Sequence, residues 1–466
     1  MKQTILLSGL CAALLCGCAA DVRVAEYKRP EAPAKTTWSR PSETDVPASR
    51  TISTQWWTEF RDPTLDALVA KAIGGNFDLQ VLAARIGVAN LQIAEARAGG
   101  QPSVDIGAGA NLEKSTGQRF SKQFSLGSQV NWDIDVWGKV SKGVEAQTAE
   151  FKATEADWRA GYLTLVSSVS IAYFQILQFD EQVEDQQRAL ARSQQVMGIF
   201  ETMRNNGLVP ATQVQRQRAE TARLTKELLE LRRSRNVTEN ALATLLGVPA
   251  GEFKLPVGRL QGRVQIPEVP TGLPSQLLAR RPDVIAAEFR VLEAHDLMGQ
   301  AKLAQLPSIS LTGRGGSSSF ALGDLLKSFT FGLAPSINIP AFNPAIKARA
   351  KTSEAEVKVA EQEYRRTVVA AFEDAENALV NLDAHRQQRE QLQQQVNELR
   401  QVAAGSTTQL AAGLISQLEV FENERSLLAA QLALLASHQQ VLADTVTLYK
   451  ALGGGWAPVE VANVRD

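Results

Sequence analysis

Two hydrophobic periods alternate along the chain. Val104, Ile106, Ala108, Ala110 and Leu112 alternate with Ser103, Asp105, Gly107, Gly109 and Asn111, the two-residue period of a strand with unlike faces. A second run sets Phe124, Leu126, Ser128, Val130, Trp132, Ile134 and Val136 against Ser125, Gly127, Gln129, Asn131, Asp133 and Asp135. Ile309 and Leu311 against Ser310 and Thr312, then Phe329, Phe331, Leu333, Pro335, Ile337 and Ile339 against Gly332, Ala334, Ser336 and Asn338, repeat the pattern later. The alternation predicts strands at about 103–112, 124–136, 308–314 and 329–339, in two hairpin-like pairs. Between them Lys139 to Asn206 and Ala345 to Ala412 each run 68 residues without proline, roughly 100 Å apiece if continuously helical. Each meets a glycine, Gly207 or Gly413, and returns through Thr212 to Leu246 or Gln417 to Leu452. Shorter helices, Phe77 to Ala98 and Asp283 to Leu306, lead into the first strand of each pair.

The two sets are copies. A shift of 205 positions aligns Asp78 with Asp283, Arg85 with Arg290, Ala96 with Ala301 and Pro102-Ser103 with Pro307-Ser308. Further on, Ile134-Asp135-Val136 meets Ile337-Asn338-Ile339, and Gly207-Leu208-Val209 meets Gly413-Leu414-Ile415, at nearly the same shift. The chain therefore divides into a first repeat at 55–260 and a second at 261–456, with a short tail at 457–466.

Composition narrows the chemistry. Forty-nine lysines and arginines face fifty acids, a net charge of −1, so no basic field awaits a phosphate backbone and nucleic acid is not an expected partner. Cys11, Cys16 and Cys18 are the only cysteines, and His295, His385 and His438 are scattered. Neither a metal site nor another cofactor is expected, and no nucleophile or paired carboxylate has the neighbours that catalysis needs. Arg232-Arg233-Ser234-Arg235 and His385 read as solvated positions on polar helices, the former also as an intersubunit face. Gly313 to Gly316 with Ser317 to Ser319 lacks a phosphate-loop lysine and reads as the start of an outer loop.

The amino terminus has a basic start at Lys2, an apolar run from Ile5 to Leu15 and the small-residue site Leu15-Cys16-Gly17-Cys18. This is a secretory signal over 1–17, too short to span a bilayer. Its cysteine ending resembles the bacterial lipoprotein box, which implies lipidation of Cys18, and Ala19 in place of aspartate implies sorting to the outer membrane. Residues 18–54, with Pro30, Pro33, Pro41 and Pro47, read as an extended leader. No later run of eighteen or more apolar residues stands out as a membrane helix.

Strands of about ten residues with one apolar and one small or polar face fit an outer membrane, yet four cannot close a barrel. Open edges in lipid leave backbone groups unpaired, so the chain is expected to oligomerise, two copies giving eight strands with a plugged interior and three giving twelve with a bore. A rod of helices without a pore is the alternative of a different class.

Motifs spread over nearly the whole chain resemble the outer-membrane factors of tripartite efflux and secretion systems, the TolC-like proteins, and in particular their OprM/NodT lipoprotein branch. They are Tyr27-Lys28-Arg29-Pro30, Trp56-Trp57 with Phe60, Asp62 and Leu65, Asp78-Leu79 before Arg85, Trp132 to Gly138, Leu273-Pro274-Ser275 with Leu277-Leu278, Arg281-Pro282-Asp283, Leu306 to Leu311, Pro335 to Pro340 and Leu448 to Trp456. The resemblance implies a homotrimer with a twelve-stranded barrel in the outer membrane and a twelve-helix periplasmic tunnel. A mixed belt is implied around Pro63 to Asn76, Gly247 to Arg280 and the carboxyl terminus. A periplasmic adaptor and an inner-membrane pump are the implied partners, and passive conduction of drugs the implied activity, with type I protein secretion as the runner-up.

The resemblance also marks sites. Adaptor docking falls to the hairpin tips Asn206-Gly207-Leu208-Val209 and Ala412-Gly413-Leu414-Ile415, where glycine permits reversal and leucine offers an apolar knob. The family's usual acid six residues before the second tip glycine is Thr407 here, whereas repeat one has Glu201 at that offset and Glu419 matches another acidic position. Thr407 and Glu419 are thus the candidates for a periplasmic gate.

Overall fold

The computed structural model describes residues 24–33, 35, 37–39, 52–114, 116, 120–270, 274, 279–340 and 342–457. The expected signal over 1–17, Cys18 and the tail after 457 lie outside them. A short 3-10 turn at Trp56–Phe60 precedes helix α1 (Pro63–Gly75), which Asp62 caps by accepting from the Thr64 amide. Asn76 caps α2 (Phe77–Ala98) in the same way. Strands β1 (Ser103–Glu113) and β2 (Ser121–Ile134) follow, then α3 (Lys139–Asn205) and α4 (Ala211–Leu245). The second repeat supplies α5 (Pro282–Leu303), β3 (Ser308–Ser319), β4 (Thr330–Asn338), α6 (Pro344–Ala411) and α7 (Gln417–Ala451). The repeats correspond closely, with 22 residues in both α2 and α5 and 35 in both α4 and α7.

The strands form one antiparallel sheet in the order β1-β2-β3-β4, so the two hairpins are joined through β2 and β3. Register fixes the faces. Val130 lies between Val104 and Gly313, and Trp132 pairs with Leu311, itself opposite Pro335. On the other face Gln129 lies between Asp105 and Arg314, and Ser310 between Asp133 and Ser336. The apolar face is solvent-exposed in the isolated chain, Ile106 at 78% and Phe331 at 77%. Gly313 to Gly316 and the serines after them are part of β3 rather than the start of a loop, because each finds a backbone partner in β2 or β4. Trp132 donates to the Gly100 carbonyl at 3.0 Å and Trp137 to that of Pro307 at 2.7 Å, which ties the base of the sheet to the helices feeding it.

Helix α3 carries an alanine stripe, Ala146, Ala149, Ala153 and Ala156, at helical spacing. Small residues let α5 approach closely, and Ile285, Ala286, Phe289 and Leu292 pack into the stripe. Below it the stripe enlarges to Leu163, Val166, Val169, Tyr173, Phe174 and Leu177, all inside the main core. Contrary to the sequence expectation, an 18-residue stretch of α3 is apolar enough to cross a bilayer by length and composition, but 61% of it is buried inside the protein. Much of α3's apolar character belongs to the belt core.

That belt gathers the 3-10 turn, α1, the ends of α4 and α7, and Leu255, Leu260, Val264 and Val269. Trp56 stacks on Tyr449 at 5.0 Å, and the Tyr449 hydroxyl donates to Glu59 at 3.0 Å. Asp62, fully buried, accepts from the Tyr173 hydroxyl at 2.7 Å and pairs with Arg263 at 3.0 Å. Burial, then the bond to Asp62, raises the Tyr173 pKa and keeps the phenol protonated. Arg235 corrects the reading of its run as solvated: it is half-buried, held between the buried Asp180 at 2.9 Å and Glu239 at 2.7 Å, and donates to the Leu255 carbonyl. Arg233 stays at the surface with Glu230. His385 is likewise not simply exposed, since its Nδ1 meets Asp444 at 2.5 Å and links α6 to α7.

The described part of the leader runs along α5. Tyr27 packs edge-on against His295, Arg29 pairs with Glu288 at 2.6 Å, and Arg365 donates to the Glu31 carbonyl at 3.0 Å. Lys35 and Ser39 both engage Glu376. Where the chain ends its last helix, Gly453, Gly454 and Gly455 all take positive φ, at 89°, 66° and 82°. A Cβ on Gly455 would sit 2.4 Å from the Ser53 carbonyl oxygen, so this thread between leader and belt admits only glycine. Gly455→Ala is therefore expected to cost about 2 kcal/mol or more and to lower the thermal midpoint in detergent, whereas Gly323→Ala, with open space around it, leaves the midpoint unchanged.

Candidate functional site

At the end remote from the sheet, α3 spans 67 residues and α6 spans 68, so the hairpin tips lie about 100 Å from the strands if the helices run straight. Both tips use one device. The Leu208 amide donates to the Met203 carbonyl and that of Gly207 to Arg204; the Leu414 amide donates to Gln409 and that of Gly413 to Leu410. This double closure needs a left-handed residue, which Gly207 at φ 70° and Gly413 at φ 72° supply. Leu208 is left 68% exposed and Leu414 75%, so neither closes its own hairpin. Val209 and Ile415 are half-buried, while Asn206 and Ala412 are exposed at the helix ends.

The two gate candidates sit apart in character. Thr407 is exposed on α6, its hydroxyl turned back onto the Ala404 carbonyl at 2.8 Å. Glu419 is exposed in the first turn of α7, three residues after Ser416, which accepts from its amide at 3.3 Å. A carboxylate in that position also faces the positive end of its own helix, a local role that the Ser416-x-x-Glu419 spacing advertises. Glu201, at the acidic offset in repeat one, is taken up by Arg218 at 2.8 Å.

Sequence reasoning missed the cross-links between the hairpins, whose partners lie far apart in the chain. Arg192 on α3 reaches Glu424 on α7 at 3.1 Å, Gln182 donates to the Leu432 carbonyl at 3.0 Å, and Phe200 meets Phe421 edge-on at 6.2 Å. Within the first hairpin the seam is polar: Gln217 donates to both the carbonyl and hydroxyl of Ser193, and Gln186 to the Leu224 carbonyl. A cavity of about 420 Å³ opens between the hairpins beside these contacts, lined among others by Arg188, Arg192, Arg223, Glu220 and Glu424.

The family model for outer membrane efflux proteins matches residues 68–248 and again 273–454, one match per repeat and well over half of the chain.

The chain belongs to the outer membrane efflux protein family.

Its relatives include the pyoverdine export outer membrane protein OpmQ of Pseudomonas putida, 30% identical over 86% of this chain and 88% of that one. The probable outer membrane lipoprotein SilC of Salmonella typhimurium is 29% identical over 95% and 97%. Among solved structures, the MtrE outer membrane channel of Neisseria gonorrhoeae in its open state superposes with a TM-score of 0.82 at 26% identity, covering 93% of this chain and 98% of that one. The protein thus has the fold of the TolC-family channels, and it functions as an outer-membrane efflux channel.

Two outcomes follow for the helical shaft. Arg192→Glu severs the tie to Glu424 and is expected to raise single-channel conductance in planar bilayers through an open population about two- to fivefold larger, with Glu424→Arg in the same chain restoring the original trace. Between α3 and α5, burial and the neighbouring Glu150 push the Glu293 carboxyl up to about 7. A folded-state pKa raised above the unfolded value favours the protonated carboxyl, so this contribution is present at low pH and is lost as pH rises through about 7. Glu293→Gln should then flatten the fall in thermal midpoint between about pH 5 and 7; an unaltered pH profile would show that Glu293 does not carry it.

Proposed function

We propose that the chain works as a lipid-anchored homotrimer, the outer-membrane exit duct of a tripartite drug efflux system. It receives small molecules from an inner-membrane pump through a periplasmic adaptor and conducts them passively, with no bond made or broken by the protein. One observation carries the reading: β1 and β4 are the outer strands of a four-stranded sheet whose broad face is exposed and apolar. In lipid such edges need partners, and three sheets joined edge to edge would make a closed twelve-stranded barrel. Uncovered apolar residues on α2, namely Phe77, Val81, Val88 and Leu91, and Val359 and Val369 on α6 support the same lateral contact lower down. Names of relatives that mention export and efflux pumps favour small molecules over secreted proteins.

Leader geometry supports the anchor at Cys18. Val24 packs beside Gly299 near the top of α5, and the chain descends from there to Glu288. Cys18 is six Cα steps from Val24, a reach of about 20 Å, enough to bring an acyl-bearing residue to the base of the sheet. The exposed Leu208 and Leu414, set at matching tips, support the adaptor contact at Asn206 to Val209 and Ala412 to Ile415. Thr407 and Glu419 remain the proposed gate positions, Glu419 with the stronger claim because it alone brings charge.

The test joins assembly to docking. Leu208→Asp with Leu414→Asp should leave a trimer of normal mass and conductance in detergent and bilayers, yet abolish drug efflux in cells supplying pump and adaptor, along with adaptor cross-linking from Asn206→Cys. A protein that stays monomeric and never inserts would refute the duct.

A further inference from the structure

Ser317 is the one buried residue that β3 contributes to the sheet, although by alternation it belongs to the apolar face with Leu311, Gly313 and Gly315. Its cover is the β3–β4 loop. The Ser317 hydroxyl donates to the Leu325 carbonyl, and the Phe329 ring lies 3.2 Å from where Gly315 would carry a Cβ on that same face. The small residues singled out in the sequence therefore make a shallow notch in the apolar face, and the loop folds back into it. It does not lean over the polar face that carries Asp105, Gln129 and Arg314. Folding back leaves Phe320, Leu322, Leu326 and Phe329 exposed, Leu326 at 80%. The charges that the strands carry on the apolar face of this rim are basic, Glu113 falling by alternation on the other face. Lys122, opposite Leu112 in the ladder, belongs to the apolar face with its Nζ 6.0 Å from the Phe120 ring centre, and Lys114 continues β1 two residues beyond Leu112. Lys327 is paired with Asp324 at 2.6 Å.

We propose that this loop is a wedge in the outer leaflet, with Leu322 and Leu326 among the acyl chains and Lys114 and Lys122 against the phosphates of an anionic glycolipid. The inference rests on the sheet lying in the outer membrane, and two observations beyond exposure carry it. The loop is continuous with the apolar face that must meet lipid in any barrel, and an aromatic and basic rim is complementary to phosphate headgroups.

The test uses the processed, lipid-bearing protein, in which removal of 1–17 and acylation of Cys18 leave no free thiol, carrying Leu326→Cys labelled with an environment-sensitive fluorophore and reconstituted into phosphatidylcholine vesicles. Loss of most emission to acyl-brominated phospholipid together with shielding from iodide is the expected result. Iodide quenching like that of a label at Leu208→Cys would overturn the wedge, as would shielding from both quenchers, which would place the loop against protein over the pore mouth. A label at Ile106→Cys on the apolar face reports insertion separately: if it is quenched by brominated lipid while the Leu326 label is not, the loop proposal fails and the channel stands. Leu322→Cys repeats the measurement should the first variant not assemble. For the headgroup, lipid A retained through detergent exchange should fall severalfold with Lys114→Glu and Lys122→Glu; retention equal to that of the unsubstituted protein would overturn that half.

Discussion

Everything above and below the belt hangs on one aromatic and glycine knot. Trp56 stacks on Tyr449, Phe60 meets Phe174, and three left-handed glycines thread the end of α7 past Ser53, Leu163 and Arg280. A helix of 67 residues is not fixed in position by propensity, which alone gives it little reason to stay in place. The belt supplies that reason by burying the middle of α3 against the ends of α4 and α7. The sheet can then be held at one end and the hairpin tips at the other by side chains that touch neither. Arg281 binds the same region electrically, reaching Asp283, Asp374 and the Ala371 and Ala451 carbonyls from the first residue before α5. Asp283 and Asp374 hold its charge against the opposing pull of burial.

The shaft below differs from the belt in kind. Each hairpin has its own seam, apolar at Val396, Ala430 and Leu434 in the second, but the named ties between the two hairpins are few: Gln182 to the Leu432 carbonyl, the exposed Arg192–Glu424 pair and one ring contact. Such contacts hold two hairpins in register while leaving each separable from the other at small energetic cost. A stiff collar with a loosely stitched shaft is the mechanical arrangement that a duct needs if its inner end is to change width while its outer end stays sealed in lipid.

How much of this could be read from the chain depended on distance along it. Strands and long helices were legible because each is written in a local period, and the tip reversals because glycine and its neighbours suffice to make them. The two copies reinforced each other, since a pattern seen twice at the same offset is hard to mistake. Misreadings came where a partner lies far away. Arg235 looks solvated beside Arg232 and Arg233 until Asp180 arrives from another helix, and His385 until Asp444 does. The Arg192–Glu424 tie spans two repeats and leaves no trace in either. Gly313 to Gly316 resembled a loop because small residues mark loops, but here they thin one face of a strand so that another segment fits against it. The start of α3's apolar core hid among alanines, whose small size masks how much they bury.

The Tyr449–Glu59 bond joins residues 390 apart, and Lys35 and Ser39 find Glu376 across a comparable stretch. Contacts of that separation form late, because the loop between their ends must close before they return anything. The belt is therefore a lock whose key, the end of α7 with its glycines, is synthesised long after the residues it closes on. Until α7 and its three glycines arrive, the first repeat holds an amphipathic hairpin and half a core with nothing to complete them, which is the interval in which aggregation or proteolysis competes. Quality control thus has one natural checkpoint, the end of α7, and a truncation before it would forfeit the whole assembly, however far its cut lies from lipid or tip.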